Sequence, residues 1–157
     1  MANLTIPIST NEIVVQLRAA GLAKLDDSAQ LRVLYKLWAN AGDRVTTQAF
    51  RTETAPYGQP WADIQPITRR RGSRNRRGIL RDTNALFGST AWQPTEDGAI
   101  GGSSQKVGKY SLLAIHQFGA PRAGIEARPV LPMDDQGEPL PQFIDEIEEI
   151  TLDWLLE

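Results

Sequence analysis

The sequence predicts an α+β fold in which a small, mostly antiparallel sheet is covered by a long helix and by a C-terminal helix. Apolar residues recur at steps of three and four over residues 27–54, and a similar period returns over residues 143–157. Between these helices, an Asp97-Gly98 pair separates two short segments of moderate alternation, which is typical of a β-hairpin. Because the chain has 157 residues and 41% hydrophobic composition, we expect residues 1–157 to form a single domain.

The N-terminal segment predicts a strand and a short helix. Residues 4–8, LTIPI, alternate apolar and polar side chains, and Pro7 restricts such a strand to the edge of a sheet because proline cannot donate a ladder hydrogen bond. Ser9 and Glu12 form a capping box ahead of an apolar stretch. This pattern predicts a helix that begins near residue 10 and ends at Gly21.

The long helix is the principal core element of the prediction. Asp27 is a favourable N-cap residue, and the helix must end before Pro56 because the residue before a proline is pushed out of the helical region. Gly42 lies inside the helix, where a glycine permits a bend. The inner face carries the apolar residues Leu31, Leu34, Trp38, Ala41, Val45 and Ala49.

The middle of the chain breaks this periodicity. Residues 55–82 contain several prolines and a run of arginines, and they predict an extended excursion with at most one short helix. The hairpin is expected within residues 87–104. Residues 109–119, KYSLLAIHQFG, are apolar on nearly every side and end in glycine, which predicts a short helix buried by the sheet or by another subunit. Residues 127–132, ARPVLP, should follow as an extended piece.

The last segment predicts an amphipathic helix with an acidic outer face. Its inner face is marked by Phe143, Ile147, Ile150 and Trp154, and residues 143–157 contain six acids and no base. Glu148 and Glu149 are adjacent, so on a helix their side chains point about 100° apart. They are therefore interpreted as part of a solvated face and not as an acid–base pair.

Composition argues against several classes of function. The chain has no cysteine, which excludes disulfides and thiolate metal sites. No apolar run approaches the roughly 18 residues that a membrane span needs, and the N-terminus does not resemble a signal peptide. The glycine-rich GAIGGSS lacks a lysine at P-loop spacing, and there is no G-x-S-x-G elbow. We therefore expect no catalytic centre, cofactor, metal or membrane partner.

One segment is strongly basic although the net charge of the chain is −2. The residues outside positions 69–77 include 11 basic and 19 acidic side chains. So dense a group of guanidinium ions requires screening, and the alternatives are a solvated loop, contact with DNA phosphates, or contact with an acidic protein surface. Base stacking is not expected, because the run contains no aromatic residue. The candidate interaction residues are Arg69, Arg70, Arg71, Arg74, Arg76 and Arg77.

The single histidine of the chain, His116, favours a structural role over catalysis. No nucleophile with an orienting acid, and no second histidine, accompanies it in a recognisable pattern. It lies instead in the last turn of a predicted helix that is closed by Gly119. In that place an imidazole can bond the free carbonyl groups and interact favourably with the negative end of the helix.

Four motifs in this order resemble the virion morphogenesis, or tail completion, family of tailed bacteriophages. IHQFG followed by ARP is similar to a family pattern in which HQFG and then IPARPFL follow a hairpin. Upstream, APYGQPW and ILRDTNAL are similar to PDGxPW and ILxxTGxL, with Tyr57 in place of an aspartate and Asn84 in place of a glycine. The resemblance extends from about Phe50 to Met133.

The resemblance implies a non-enzymatic virion protein that forms a ring, usually of six copies, at the top of the tail. Such a tail terminator ends tail-tube growth and joins the tail to the head, after assembly in the host cytoplasm. Its partners are other copies of itself, the tail-tube protein and neck proteins, and DNA passes through its lumen.

The resemblance also implies that four residues fix a backbone path at a helix end, namely His116, Gly119, Arg128 and Pro129. Two alternatives remain open. The chain could be a neck or head-completion adaptor, or a small nucleic-acid-binding protein that uses the arginine run.

Overall fold

The computed structural model describes residue 19, residues 21–64 and residues 78–157. The predicted edge strand at residues 4–8 and the arginine run at residues 69–77 lie outside this part of the chain. The short helix was predicted to end at Gly21, but residues 21–24 are helical. That boundary is wrong because Gly21 has another use: a Cβ there would collide with the backbone of Leu155, so the glycine lets two segments approach closely.

The predicted long helix is confirmed as α1, Ser28–Thr52. The side chain of Asp27 caps it by accepting hydrogen bonds from the backbone N–H groups of Ala29 and Gln30. Glu53 ends it in the left-handed conformation, with φ of 56°. The helix therefore ends before Pro56, as the sequence requires.

The predicted hairpin is confirmed, and it packs on α1. A short helix, α2 (Ala85–Ser89), leads into strands β1 (Thr90–Pro94) and β2 (Ala99–Ser103), which pair antiparallel. The Trp92 ring lies directly against Gly42 and Gly101, where a Cβ would overlap it, and its Nε1 donates to Thr46 Oγ1 at 2.9 Å. The glycine inside α1 thus makes room for a ring from the hairpin.

A second, smaller hairpin follows that the sequence reasoning missed. Strands β3 (Lys106–Val107) and β4 (Tyr110–Ser111) pair antiparallel and lead directly into α3 (Leu112–Phe118). The helix expected over residues 109–119 therefore begins three residues later than predicted, with the Ser111 side chain as its N-cap. Within the single chain only Leu113 and Gln117 of this helix are buried, and burial of the rest by another subunit stays a prediction.

The C-terminal helix is confirmed as α4, Pro141–Leu156. Phe143 and Trp154, two of its four predicted inward residues, are buried. The helix packs on α1, where Trp38 Nε1 donates to Thr151 Oγ1 at 3.0 Å. Phe143 also meets the Trp92 ring at a centroid separation of 5.6 Å, so α1, α4 and the first hairpin share one contact region.

The fold is α+β, as predicted, but the described strands form two separate two-stranded sheets and not one. A 3₁₀ turn at Pro121–Ala123 separates α3 from residues 126–130, which form no regular secondary structure. Among the described residues, none of the helices is both long and apolar enough to cross a membrane. The core cluster combines α1, α2 and α3 with residues from the connecting segments, and it comprises Ala49, Phe50, Trp61, Leu86, Leu113, Val130 and Leu131.

Candidate functional site

The four motif residues meet where α3 ends and the chain returns to the core. The backbone N–H of Arg128 donates to the carbonyl of His116 at 2.6 Å, which closes the loop between them. Gly119 lies at the helix end with φ of 74° and ψ of 174°. A Cβ at Gly119 would lie 2.9 Å from the backbone nitrogen of Ala127, so both the backbone angles and the space require glycine.

Gln117 connects α3 to the returning segment, although the sequence reasoning did not single it out. Its Oε1 accepts hydrogen bonds from the N–H groups of Val130 at 2.8 Å and Leu131 at 2.9 Å. Its Nε2 donates to the Leu131 carbonyl at 3.1 Å. The buried amide thus pairs with the chain as a neighbouring strand would, and it satisfies main-chain groups that are shielded from water.

The guanidinium of Arg128 donates hydrogen bonds to backbone carbonyl groups of the segment that precedes the arginine run. The residue is 8% exposed, and its Nε donates to the Ala62 carbonyl at 2.9 Å. One terminal nitrogen donates to the Asp63 carbonyl at 3.0 Å. The rigid fork of donors on an arginine suits such a pair of carbonyls, so Arg128 fixes the position of residues 62 and 63.

Pro129 takes part through its carbonyl. Trp61 Nε1 donates to this oxygen at 2.8 Å, and the Trp61 ring meets Phe50 of α1 edge to face at 6.0 Å between centroids. A buried indole needs a partner for its N–H, and the proline carbonyl supplies one. Trp61 therefore connects the motif to the hydrophobic core.

Glu53, at the end of α1, forms hydrogen bonds with the chain both before and after the arginine run. Its backbone carbonyl accepts from the Trp61 N–H at 2.7 Å, and its Oε1 accepts from the Ile79 N–H at 2.8 Å. One residue at the end of α1 therefore holds the chain on both sides of residues 65–77.

Within the described part of the chain, the His116 imidazole makes none of the hydrogen bonds to carbonyl groups that its sequence position suggested. Its Nδ1 is buried and has no hydrogen-bond partner among the described residues. Burial, and then the positive charge of Arg128, lower the pKa of His116 below its ordinary value. The helix end therefore does not favour the charged imidazole, because desolvation and a neighbouring cation outweigh it.

His116 lines a cavity of about 560 Å³ together with Leu86, Leu112, Ile125 and Arg128. Ile64 and Gly78, the described residues that flank residues 65–77, also line it. Within the described ranges, no group of three or more histidine or acidic side chains is placed to hold a metal ion.

The sequence motifs include the four residues at the end of α3, but they do not indicate the three side chains that connect these residues to the core: Trp61, Glu53 and Gln117. For Gln117 a signal was available. It lies four residues after the buried Leu113, so a polar side chain occupies the inner face of a short apolar helix. The six candidate arginines of residues 69–77 lie outside the described residues, so their interaction role stays a prediction.

Comparison with known families agrees with the resemblance in the motifs. The model of the phage virion morphogenesis family matches residues 13–155. This range extends beyond the four motifs on both sides and includes α1 and nearly all of α4. No curated protein and no solved structure matches the chain.

Proposed function

Because the chain belongs to the phage virion morphogenesis family, a family of structural phage proteins, we propose that it is a tail terminator that forms a ring at the top of the tail. The ring ends tail-tube growth and joins the tail to the head. The family match over residues 13–155 is the observation that carries this proposal.

The geometry of the motif supports a structural role. The polar side chains of Gln117, Arg128 and Trp61 all bond to main-chain groups. The Nδ1 of His116 faces no hydrogen-bonding group of the described chain that could orient it for proton transfer. The motif therefore sets a backbone path, which is the property that a subunit of a rigid assembly needs.

In this proposal the partners are further copies of the chain, the tail-tube protein and the neck proteins. A ring of six copies forms when each subunit meets the next through two different surfaces and the rotation closes. The energy for assembly then comes from these interfaces and not from a chemical step.

Electron microscopy and analytical ultracentrifugation of the purified chain test the ring directly. We expect closed rings, and a chain that stays monomeric at high concentration would contradict the proposal. Particles assembled without the protein distinguish a tail terminator from a neck adaptor by the length of their tails and the presence of heads. Overlong tails are expected for a missing terminator, whereas tails of normal length that lack heads would favour the adaptor.

We propose that the arginine run contacts an acidic protein surface in the assembled tail and not DNA. A lumen lined with arginines from every subunit would retain DNA through counterion release, which is a poor property for a conduit. Glu148 on α4 and Glu157 at its C-terminal end are exposed and offer carboxylates for such contact. Among the acids at residues 134–138, Asp134 is less available, because its Oδ1 already accepts from the N–H groups of Gln136 and Glu138.

Changing all six arginines to glutamine tests the choice between protein and DNA. We expect assembly to be lost and the residual DNA affinity to change little across a salt series. A matched variant with six lysines keeps the charge and should retain part of the assembly. Intact assembly together with a loss of salt-dependent DNA binding would favour phosphate contact instead.

A further inference from the structure

The β3–β4 hairpin exposes two large side chains, Val107 and Tyr110, to solvent. All residues from 106 to 111 are exposed, and Val107 and Tyr110 are 55% and 60% exposed. The two residues pair directly across the hairpin, so their side chains lie on the same face. Lys106 and Lys109 flank them, with the Lys109 Nζ 5.4 Å from the centre of the Tyr110 ring. We call residues 106–111 the basic knob.

Another part of the surface has the complementary character. A pocket of about 290 Å³ lies between α1 and the loop after it, lined largely by Val45, Ala49, Ala55, Pro56 and Tyr57. It shares Arg44 and Glu146 with a groove of about 540 Å³ along α4, whose acidic residues are Asp145, Glu146, Glu149 and Asp153. We call the two together the acidic socket.

The rim of the socket is held in a strained conformation. Tyr57 has φ of 55°, in the left-handed region that a bulky side chain rarely occupies. Its hydroxyl donates to Glu146 Oε2 at 2.6 Å, and Glu146 also forms an ion pair with Arg44. Strain that the surrounding contacts maintain is found at functional sites more often than elsewhere. Here it places an aromatic ring, 44% exposed, as one wall of the pocket.

From these two surfaces, we infer that the basic knob of one copy of this chain docks into the acidic socket of a second copy. A cavity of about 150 Å³ is large enough for benzene, so the pocket of about 290 Å³ has room for the Tyr110 ring. The adjoining groove then places Asp145, Glu149 and Asp153 against Lys106 and Lys109 of the other copy. Apolar surface meets apolar surface, and the lysines of the knob meet a groove whose four carboxylates outnumber its one cation, Arg44, which already forms an ion pair with Glu146.

Knob and socket are different surfaces, so the contact is heterologous, and repeating it generates a ring when the rotation closes. The inference rests on the proposed ring and assigns one of its interfaces. This contact does not produce a closed two-fold dimer. Any open chain of copies keeps one free knob at one end and one free socket at the other end, so further copies can add until the ring closes.

Two variants with matched controls test the interface. The knob variant carries Val107→Asp and Tyr110→Asp, and the socket variant carries Gln48→Trp, which fills the pocket from its exposed rim on α1. Each should remain folded, because the changed side chains are exposed. Ile100→Asp, at a position 62% exposed on β2, and Gln30→Trp, on the exposed start of α1, are the controls.

By sedimentation velocity, we expect rings for the wild type and both controls, and monomers for the knob and socket variants. An equal mixture of the two variants should form heterodimers and nothing larger, since only one functional knob and one functional socket can meet. Rings formed by either variant alone, rings formed by the mixture, or a mixture without heterodimers would each overturn the interface while leaving the ring proposal in place. A monomeric wild type would instead remove the ring itself.

Charge reversal tests the polar rim separately. Lys106→Glu with Lys109→Glu should raise the concentration needed for assembly by at least tenfold at low salt. Adding Glu149→Lys and Asp153→Lys to the same chain should restore assembly, whereas adding Asp26→Lys and Glu96→Lys, two exposed positions away from the socket, should not. Equal recovery with both additions, or none with the first, would show that these charges do not meet.

Discussion

Gln117 offers the most direct test of the structural role of the motif. Gln117→Met keeps the length and approximate volume of the side chain but removes the amide. The N–H groups of Val130 and Leu131 then lose the Oε1 acceptor that lies 2.8 and 2.9 Å away. Both residues are buried, with exposures of 0% and 6%, so water does not readily replace the lost acceptor.

The expected loss of stability follows from these two donors. A buried donor without a partner costs about 1–3 kcal/mol, so two of them amount to about 2–6 kcal/mol. A chain of 157 residues has a free energy of unfolding of about 8–24 kcal/mol at ordinary stability per residue. The variant should therefore lose about a quarter of its stability while keeping the fold.

Urea unfolding followed by tryptophan fluorescence measures this loss. With a slope of about 2 kcal/mol/M, a loss of about 4 kcal/mol lowers the midpoint by about 2 M. Gln30→Met, at an exposed position of α1, is the control and should change the stability by less than about 0.5 kcal/mol. If Gln117→Met matched this control, the three hydrogen bonds would not be what holds the returning segment on α3.

Three further changes test other contacts. Because burial and Arg128 lower the pKa of His116, the folded state binds fewer protons than the unfolded one, and stability should fall as the pH drops below about 6.5. His116→Gln should reduce this dependence in thermal melts and leave assembly intact, and a folded, assembled variant without function would support catalysis. The added methyl group of Gly42→Ala should overlap the Trp92 ring and lower the free energy of unfolding by about 1–3 kcal/mol, measured with urea. An unchanged free energy of unfolding would show that the Trp92 ring does not pack on Gly42. Burial raises the pKa of Tyr57, so the wild type should lose stability above about pH 10 more steeply than Tyr57→Phe, and equal slopes would contradict the raised value.

The sequence predicted the helices and the first hairpin because their signals are local. Asp27 caps α1 directly, the four-three-four spacing marks the inner face of α4, and Asp97-Gly98 supplies a turn. One error arose because a residue serves a distant contact. Gly21 was interpreted as a helix end, but the glycine accommodates the backbone of Leu155, more than 100 positions away in the chain.

The motif was predictable in its positions but not in its chemistry. A helix-closing glycine can be recognised in one segment, and Gly119 indeed ends α3. The target of Arg128 cannot be recognised in that way, because its acceptors are the carbonyl groups of residues 62 and 63, which any amino acid carries. Most hydrogen bonds of this motif join a side chain to a main-chain group. The amino-acid type of the residue that supplies the main-chain group does not reveal such a bond.

These main-chain hydrogen bonds also connect the motif to the arginine run. Arg128 holds residues 62 and 63, and Glu53 holds Trp61 through its carbonyl and Ile79 through its carboxylate. The chain is therefore held to the core on both sides of residues 65–77, the segment that contains the six arginines. The proposed function needs this arrangement, because every copy in a ring must present its arginines at the same place to the same neighbour.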